Sequence, residues 1–133
     1  MKEPTKVSGS IEVAGDCAYY RPAGQLTLDE AIELVDQTIA YVRDQRIPKL
    51  LFNAWNLVGF PPPSLPTRYF AARRWAASGQ NFIQLALVIR AEMMDPEKFG
   101  VIVARNSKLN ADVFLAEAEA LAWLQNGSKN RST

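Results

Sequence analysis

The stretch from Phe82 to Arg90 constrains the fold more than any other part of the chain. Phe82, Ile83, Leu85, Ala86, Leu87, Val88 and Ile89 make it apolar almost without interruption. A strand with one wet face alternates apolar and polar residues. A strand that reads as a run is covered on both faces, the signature of a parallel sheet between other layers. Lys49 to Ala54 repeats the pattern on a smaller scale through Leu50, Leu51 and Phe52. Parallel neighbours cannot be joined by a tight turn and need a long crossover, usually a helix. The segments between the runs should therefore be helical.

They read that way. Thr27 followed by Glu30 is a capping box, in which each side chain bonds the other residue's free backbone N–H. Behind it Leu28, Ala31, Ile32, Val35, Ile39 and Val42 fall on one stripe, with Asp29, Glu33, Asp36, Arg43 and Arg46 mostly opposite. Pro48 stops the helix, since the residue before a proline is pushed out of the α region. The pattern predicts a helix over Thr27–Arg46. A second should begin at Ser64 or Thr67 and run to about Ser78, with Leu65, Tyr69, Ala72 and Ala76 inward and Gly79 as its stop. Asp95-Pro96-Glu97 has the chemistry of a third helix start: a cap, a pre-set φ, and an acid at the positive helix end. Phe99, Ile102 and Val103 would face inward there. Val113-Phe114 reads as a brief edge strand. Ala116–Gln125 reads as a last helix with Ala118, Leu121, Ala122 and Leu124 available for burial and Gly127 past its end.

Before the first helix, Ile11 and Val13 alternate with Ser10 and Glu12, then Ala14-Gly15-Asp16 turns, and Cys17 to Arg21 resumes an extended pattern that Pro22 and Gly24 end. The expected order is β-β-α-β-α-β-α-(β)-α in one α/β domain over residues 7–126, with flexible ends at 1–6 and 127–133. The sheet should be mixed but mostly parallel.

Composition narrows the chemistry. The 133 residues include no histidine and one cysteine. Ser-His-Asp and Cys-His mechanisms are excluded within one chain, as are an intrachain disulfide and a cysteine-rich metal cage. Lys plus Arg is 15 and Asp plus Glu 14, a net charge of +1. Nucleic-acid binders show a basic excess, because phosphate neutralisation supplies much of their affinity, so no nucleic-acid partner is expected. The first residues lack a signal peptide's apolar segment and no run is long enough to span a bilayer. A cytoplasmic protein is expected, with no cofactor and no metal.

With these elements in place, two stretches resemble a known family. Gly24-Gln25-Leu26-Thr27-Leu28-Asp29-Glu30-Ala31 is similar to the G-x-L-T-x-E-E start of the first helix in SpoIIAA-like (STAS-like) domains. Val113 to Leu124 is similar to that family's closing V-F-x-x-x-x-E-A-L-A-W-L. With the order of elements between them, the resemblance covers residues 9 to 125. It implies a small mixed sheet with helices packed mainly on one face. It also implies a regulatory, non-enzymatic module of the anti-sigma-factor antagonist type, acting on a protein partner through a phosphorylated Ser or Thr. The wider superfamily implies binding of nucleotides or lipids and resembles CRAL-TRIO lipid-binding domains. Where antagonists carry Asp-Ser at the strand end, this chain has Asn53-Ala54-Trp55-Asn56 and reaches its next hydroxyl at Ser64. Ala116 stands where the pattern places a capping Asp or Ser.

The conspicuous irregular stretch is Trp55 to Pro66, which puts Trp55, Leu57, Val58, Phe60 and Leu65 among residues stiffened by Pro61, Pro62 and Pro63. It should lie at the carboxyl ends of the strands, where open α/β sheets collect ligands. Either its rings cover the sheet edge or they face a partner. The candidate binding set is Asn53, Trp55, Phe60, Ser64, Thr67 and Arg68, with Ser64 the possible phosphosite and Arg68 near a helix N-terminus. Ser64 and Thr67 also suit capping. A protein partner is the first expectation, and a small apolar ligand in a pocket under the 53–67 loop is the alternative. An enzyme would have only Glu92 and Asp95 as an acid/base pair, and their spacing fits helix capping as well. Cys17 reads as a small buried hydrophobe. The small residues Ala118, Ala120 and Ala122 leave room for a second copy, so a homodimer is open.

Overall fold

The computed structural model describes residues 7–131. Of the expected flexible ends at 1–6 and 127–133, residues 1–6 and 132–133 lie outside the described residues. The elements are β1 (Val7–Ser8), β2 (Glu12–Ala14), β3 (Cys17–Tyr20), β4 (Ala23–Gln25), α1 (Leu28–Asp44), β5 (Lys49–Asn53), β6 (Asn56–Val58), α2 (Leu65–Gly79), β7 (Gln84–Val88), α3 (Phe99–Asn106), β8 (Asn110–Phe114) and α4 (Glu117–Arg131). A single tight helical turn, Ala91–Met93, follows β7.

Five strands form the main sheet in the spatial order β2-β3-β5-β7-β8. The β2–β3 pair is an antiparallel hairpin, and the other pairs are parallel. This is the mostly parallel sheet that the apolar runs require. Alternate side chains sort to opposite faces. Ala18, Tyr20, Leu50, Phe52 and Leu85 face a core shared with α1, α2 and α3. Cys17, Leu51, Ala86 and Val88 face Ala120 and Leu124 of α4. Three helices thus cover one face and one covers the other. Tyr20 and Phe52 meet edge to face with ring centroids 5.4 Å apart, a geometry worth about 0.5–1.5 kcal/mol beyond the area buried.

The first helix follows its capping box: Glu30 N donates to Thr27 Oγ1 at 3.1 Å and Thr27 N to Glu30 Oε1 at 2.9 Å. It is tied to α2 by polar contacts as well as packing. Trp75 Nε1 donates to Ile32 O at 3.1 Å, Ser78 Oγ to Asp36 at 2.6 Å, and Arg74 pairs with Glu33 and Asp36.

Several local expectations are corrected. The ladder does not end at Pro22 and Gly24. It breaks at Pro22, which has no N–H to donate, and resumes as β4 in a second sheet of order β1-β4-β6. The stretch after Asn53 is likewise not all loop, because β6 pairs parallel with β4. In α2, Leu65 and Tyr69 face solvent, and Ala71, Ala72, Ala76 and Gly79 are buried. Gly79 lies within the helix, and the left-handed residue that ends it is Gln80 at φ 52°. A side chain at Gly79 would press on Leu109 Cδ1 at 3.0 Å, so the buried leucine would have to shift by a few tenths of an ångström to admit one.

The third helix begins at Phe99, because Asp95 to Lys98 first closes a turn through Lys98 N–H to Asp95 O at 2.9 Å. Its N-cap is therefore the left-handed Lys98, Pro96 lies outside the helix, and Asp95 accepts from Phe99 N at 2.8 Å across the turn. Ile102 points outward while Val103 and Ala104 are buried. The edge strand is longer than Val113-Phe114, starting at Asn110 in register with Gln84 of β7. In α4 the buried pair is Ala120 and Leu124, one turn apart. Ala118 and Ala122 are exposed, and the helix continues through Gly127 to Arg131. No helix among the described residues is long and apolar enough to cross a membrane.

Candidate functional site

The two sheets meet where β3 and β5 break. Each resumes after two residues, as β4 and β6, and these pair in parallel again with Leu57 opposite Gly24. Leu26 N donates to Val58 O at 2.8 Å. Gly59 follows at φ 106°, where a side chain would meet Leu26 O and Gln25 Cγ at 2.8 Å. Only glycine permits this approach, so the segment is pinned against the start of α1. Leu57 is buried beneath it. The irregular stretch is therefore held at its middle.

Its two ends are also fixed. Ala54 N donates to Val88 O at 2.8 Å, Trp55 N to Asn53 Oδ1 at 2.9 Å, and Arg90 Nε to Trp55 O at 2.7 Å. At the far end Ser64 caps α2, its Oγ accepting from Thr67 N at 3.3 Å and donating to Thr67 Oγ1 at 3.0 Å. Arg68 Nε donates to Pro63 O at 3.1 Å.

Under this strap lies an apolar cavity of about 160 Å³ between α1, α2, α3 and the carboxyl end of β7. Its origin is legible in the residues that line it. The inward face of α2 offers Ala71 and Ala72, and α3 offers Gly100 and Ala104 at the same level. A Cβ added at Gly100 would meet only Arg68 Cβ, at 3.9 Å. Side chains this small leave the gap between the helices unfilled. Leu87 of β7, which lines the gap, is half-buried. Trp75, Ile32, Phe60 and Met93 complete the apolar wall, and Arg68, Arg90, Asp95, Lys98 and Asp112 are its charged members.

Most of those charges are already engaged. Lys98 Nζ lies 2.9 Å from Asp112 Oδ1, Arg105 lies 3.3 Å from Asp112 Oδ2, and Asp95 accepts from Phe99 N. Arg90 holds Trp55 O and stands 3.8 Å from Glu92. Arg68 has no carboxylate within ion-pair distance among the described residues; its recorded acceptor is the Pro63 carbonyl. Asp95 and the exposed Glu92 thus serve local structure. Among the described residues no group of three or more Cys, Asp or Glu side chains is placed to hold a metal ion.

Of the residues singled out from sequence, Phe60, Thr67 and Arg68 come together around the cavity. Trp55 and Ser64 lie outside it on the exposed side of the strap. Asn53 is elsewhere: its Nδ2 donates to Glu117 Oε2 at 2.7 Å, under α4. Arg21 grips the same carboxylate, through Nε at 2.7 Å and Nη2 at 3.0 Å. That fork, aided by Asn53, holds the Glu117 carboxyl below its ordinary range. Cys17 is buried, and desolvation pushes its thiol up, away from reactivity. Sequence reading put Ala72 on an inward stripe and Leu87 in a buried run but assigned neither these nor Ala71 and Gly100 to a cavity wall. Their signal is a deficit of bulk where a core-facing helix normally carries Leu or Ile, visible only once the faces are known.

No family model and no curated protein sequence matches the chain. Solved structures do. An anti-sigma factor antagonist from Mycobacterium paratuberculosis superposes with a TM-score of 0.57 at 14% identity, over 94% of this chain and 99% of that one. An uncharacterized DUF3478-family protein with a SpoIIAA-like fold, from Shewanella loihica, superposes with a TM-score of 0.51 at 20% identity, over 93% and 98%. Both alignments span nearly the full length of each partner. This chain has a SpoIIAA-like fold.

Proposed function

We propose that the chain is a regulatory, non-enzymatic module that contacts a protein partner through the strap and the outer face of α2. One observation carries the reading: apolar side chains are exposed together along this stretch. Phe70 is 67% exposed, Leu65 52% and Trp55 41%. The outward face of a surface helix ordinarily carries polar residues. The rings are also ordered. Tyr69 and Phe70 meet edge to face at 5.4 Å, and the Arg73 guanidinium lies over Tyr69 at 5.6 Å. Aromatic and Arg side chains are the groups that dominate interface energetics. The likeness to an anti-sigma factor antagonist supports a protein partner.

Ser64 stands on the same surface at the positive end of α2, where a phosphoryl group would be favoured by the helix dipole and by Arg68 one turn on. We therefore place the modification site there, if the module is switched. Phe60, half-buried over the cavity, belongs to the lining rather than to the contact surface. The test is recovery of native partners on immobilised protein carrying Trp55→Ala and Phe70→Ser. Recovery is expected to fall tenfold or more with an unchanged circular dichroism spectrum. Undiminished recovery overturns the reading.

A second reading, a small-ligand carrier, is favoured by the cavity itself. Its volume is close to that of the roughly 150 Å³ engineered cavities that accept benzene. That size suits an apolar body and not a nucleotide.

A further inference from the structure

We infer that the cavity under the strap takes a small organic monoanion, with an apolar body of benzene size inside and its carboxylate at Arg68. The inference rests on the small-ligand reading and adds the ligand's charge and size.

Volume and lining set the body. About 160 Å³ walled by Ala71, Ala72, Leu87 and Trp75 offers dispersion contacts to about six to eight carbons and no polar partner deep inside. The wall is pre-formed, because Trp75 is locked by its bond to Ile32 O and the strap by Gly59 and Leu26. A ligand would therefore meet a site already shaped, with little ordering left to do.

Electrostatics sets the head group. Asp112 is shared by Lys98 and Arg105, and Asp95 is used by the α3 backbone, so the acids of the lining are satisfied from within. Arg68 is half-buried, held by one N–H to the Pro63 carbonyl, with the rest of its planar fork facing no carboxylate among the described residues. A guanidinium fixed in this way matches a carboxylate bidentately. It also stands in the first turn of α2, whose N-terminal dipole adds to the attraction. A cationic ligand would meet the same guanidinium as repulsion.

Phenylacetate and phenethyl alcohol share the apolar body and differ in the charged group. Isothermal titration of the full chain with each, with tryptophan emission as a second signal, separates the two parts of the inference. Phenylacetate is expected to bind at least tenfold more tightly. Arg68→Gln should remove that preference and leave the alcohol unchanged. Ala71→Leu, which fills the cavity, should abolish both. Equal affinity of the wild type for acid and alcohol overturns the anionic head while the carrier reading stands. Binding of neither at millimolar concentration overturns both. Phenylacetate binding that persists in Ala71→Leu places the ligand elsewhere and overturns the site.

Discussion

Gln84 opens β7 with 4% of its surface exposed, and its Nε2 finds no acceptor among the described residues. A buried amide donor left unpaired costs about 1–3 kcal/mol relative to water. Gln84→Met keeps the chain length and removes the donor. It should raise the free energy of unfolding by about 1 kcal/mol, read from the denaturant midpoint at constant m-value. A lower midpoint would mean the amide contributes something that no contact described here supplies. Gln84 reads as an ordinary polar flank of an apolar run, and only the register with Lys49 and Asn110 on either side shows it enclosed.

Among the elements, those whose boundaries rest on local chemistry were legible. The first helix was readable because a capping box and Pro48 act within a few residues of the ends they define. The parallel strands were readable because burial on two faces leaves an apolar run. What was hidden depends on distant partners. The three-residue strands β4 and β6 carry no alternation worth reading and exist because each pairs with the other across more than thirty residues. In α2, alanine is compatible with either face, so the stripe was read through Leu65 and Tyr69 together with Ala72 and Ala76, when burial runs through Ala71, Ala72 and Ala76. That Phe60, Thr67 and Arg68 lie near one another was readable for a related reason: a proline-stiffened strap is visible in sequence, whereas the void below it is not. The start of α2 gives a direct test. Ser64 bonds Thr67 N, so Ser64→Ala should cost about 1 kcal/mol of stability, while Ser64→Asp, which caps equally well, should cost far less. Equal losses in thermal melts of the two variants would remove Ser64 from the cap.

At the scale of the whole molecule, one carboxylate joins three parts of the chain. Glu117 at the start of α4 binds Arg21 just past β3 and Asn53 at the end of β5. The Arg21 fork is the larger cause of its lowered pKa, and Asn53 adds to it. A carboxyl depressed in the folded state stabilises above its unfolded value, near the ordinary 4.5, and the contribution is lost as pH falls through the lower folded value. Glu117→Gln should therefore lower stability at neutral pH by about 0.5–1 kcal/mol, since the pair is partly open to solvent. The difference from wild type should vanish toward pH 3, by denaturant titration across that range. A gap that stays constant with pH would show the fork to be uninvolved.

The main sheet has a further property. Its spatial order, β2-β3-β5-β7-β8, is also the order of synthesis. Each strand leaving the ribosome can dock on a free border left by the one before, with its crossover helix already made, and none has to wedge between two settled neighbours. Assembly can therefore keep pace with translation, and α4, the last helix made, closes the second face once the strands beneath it are in place.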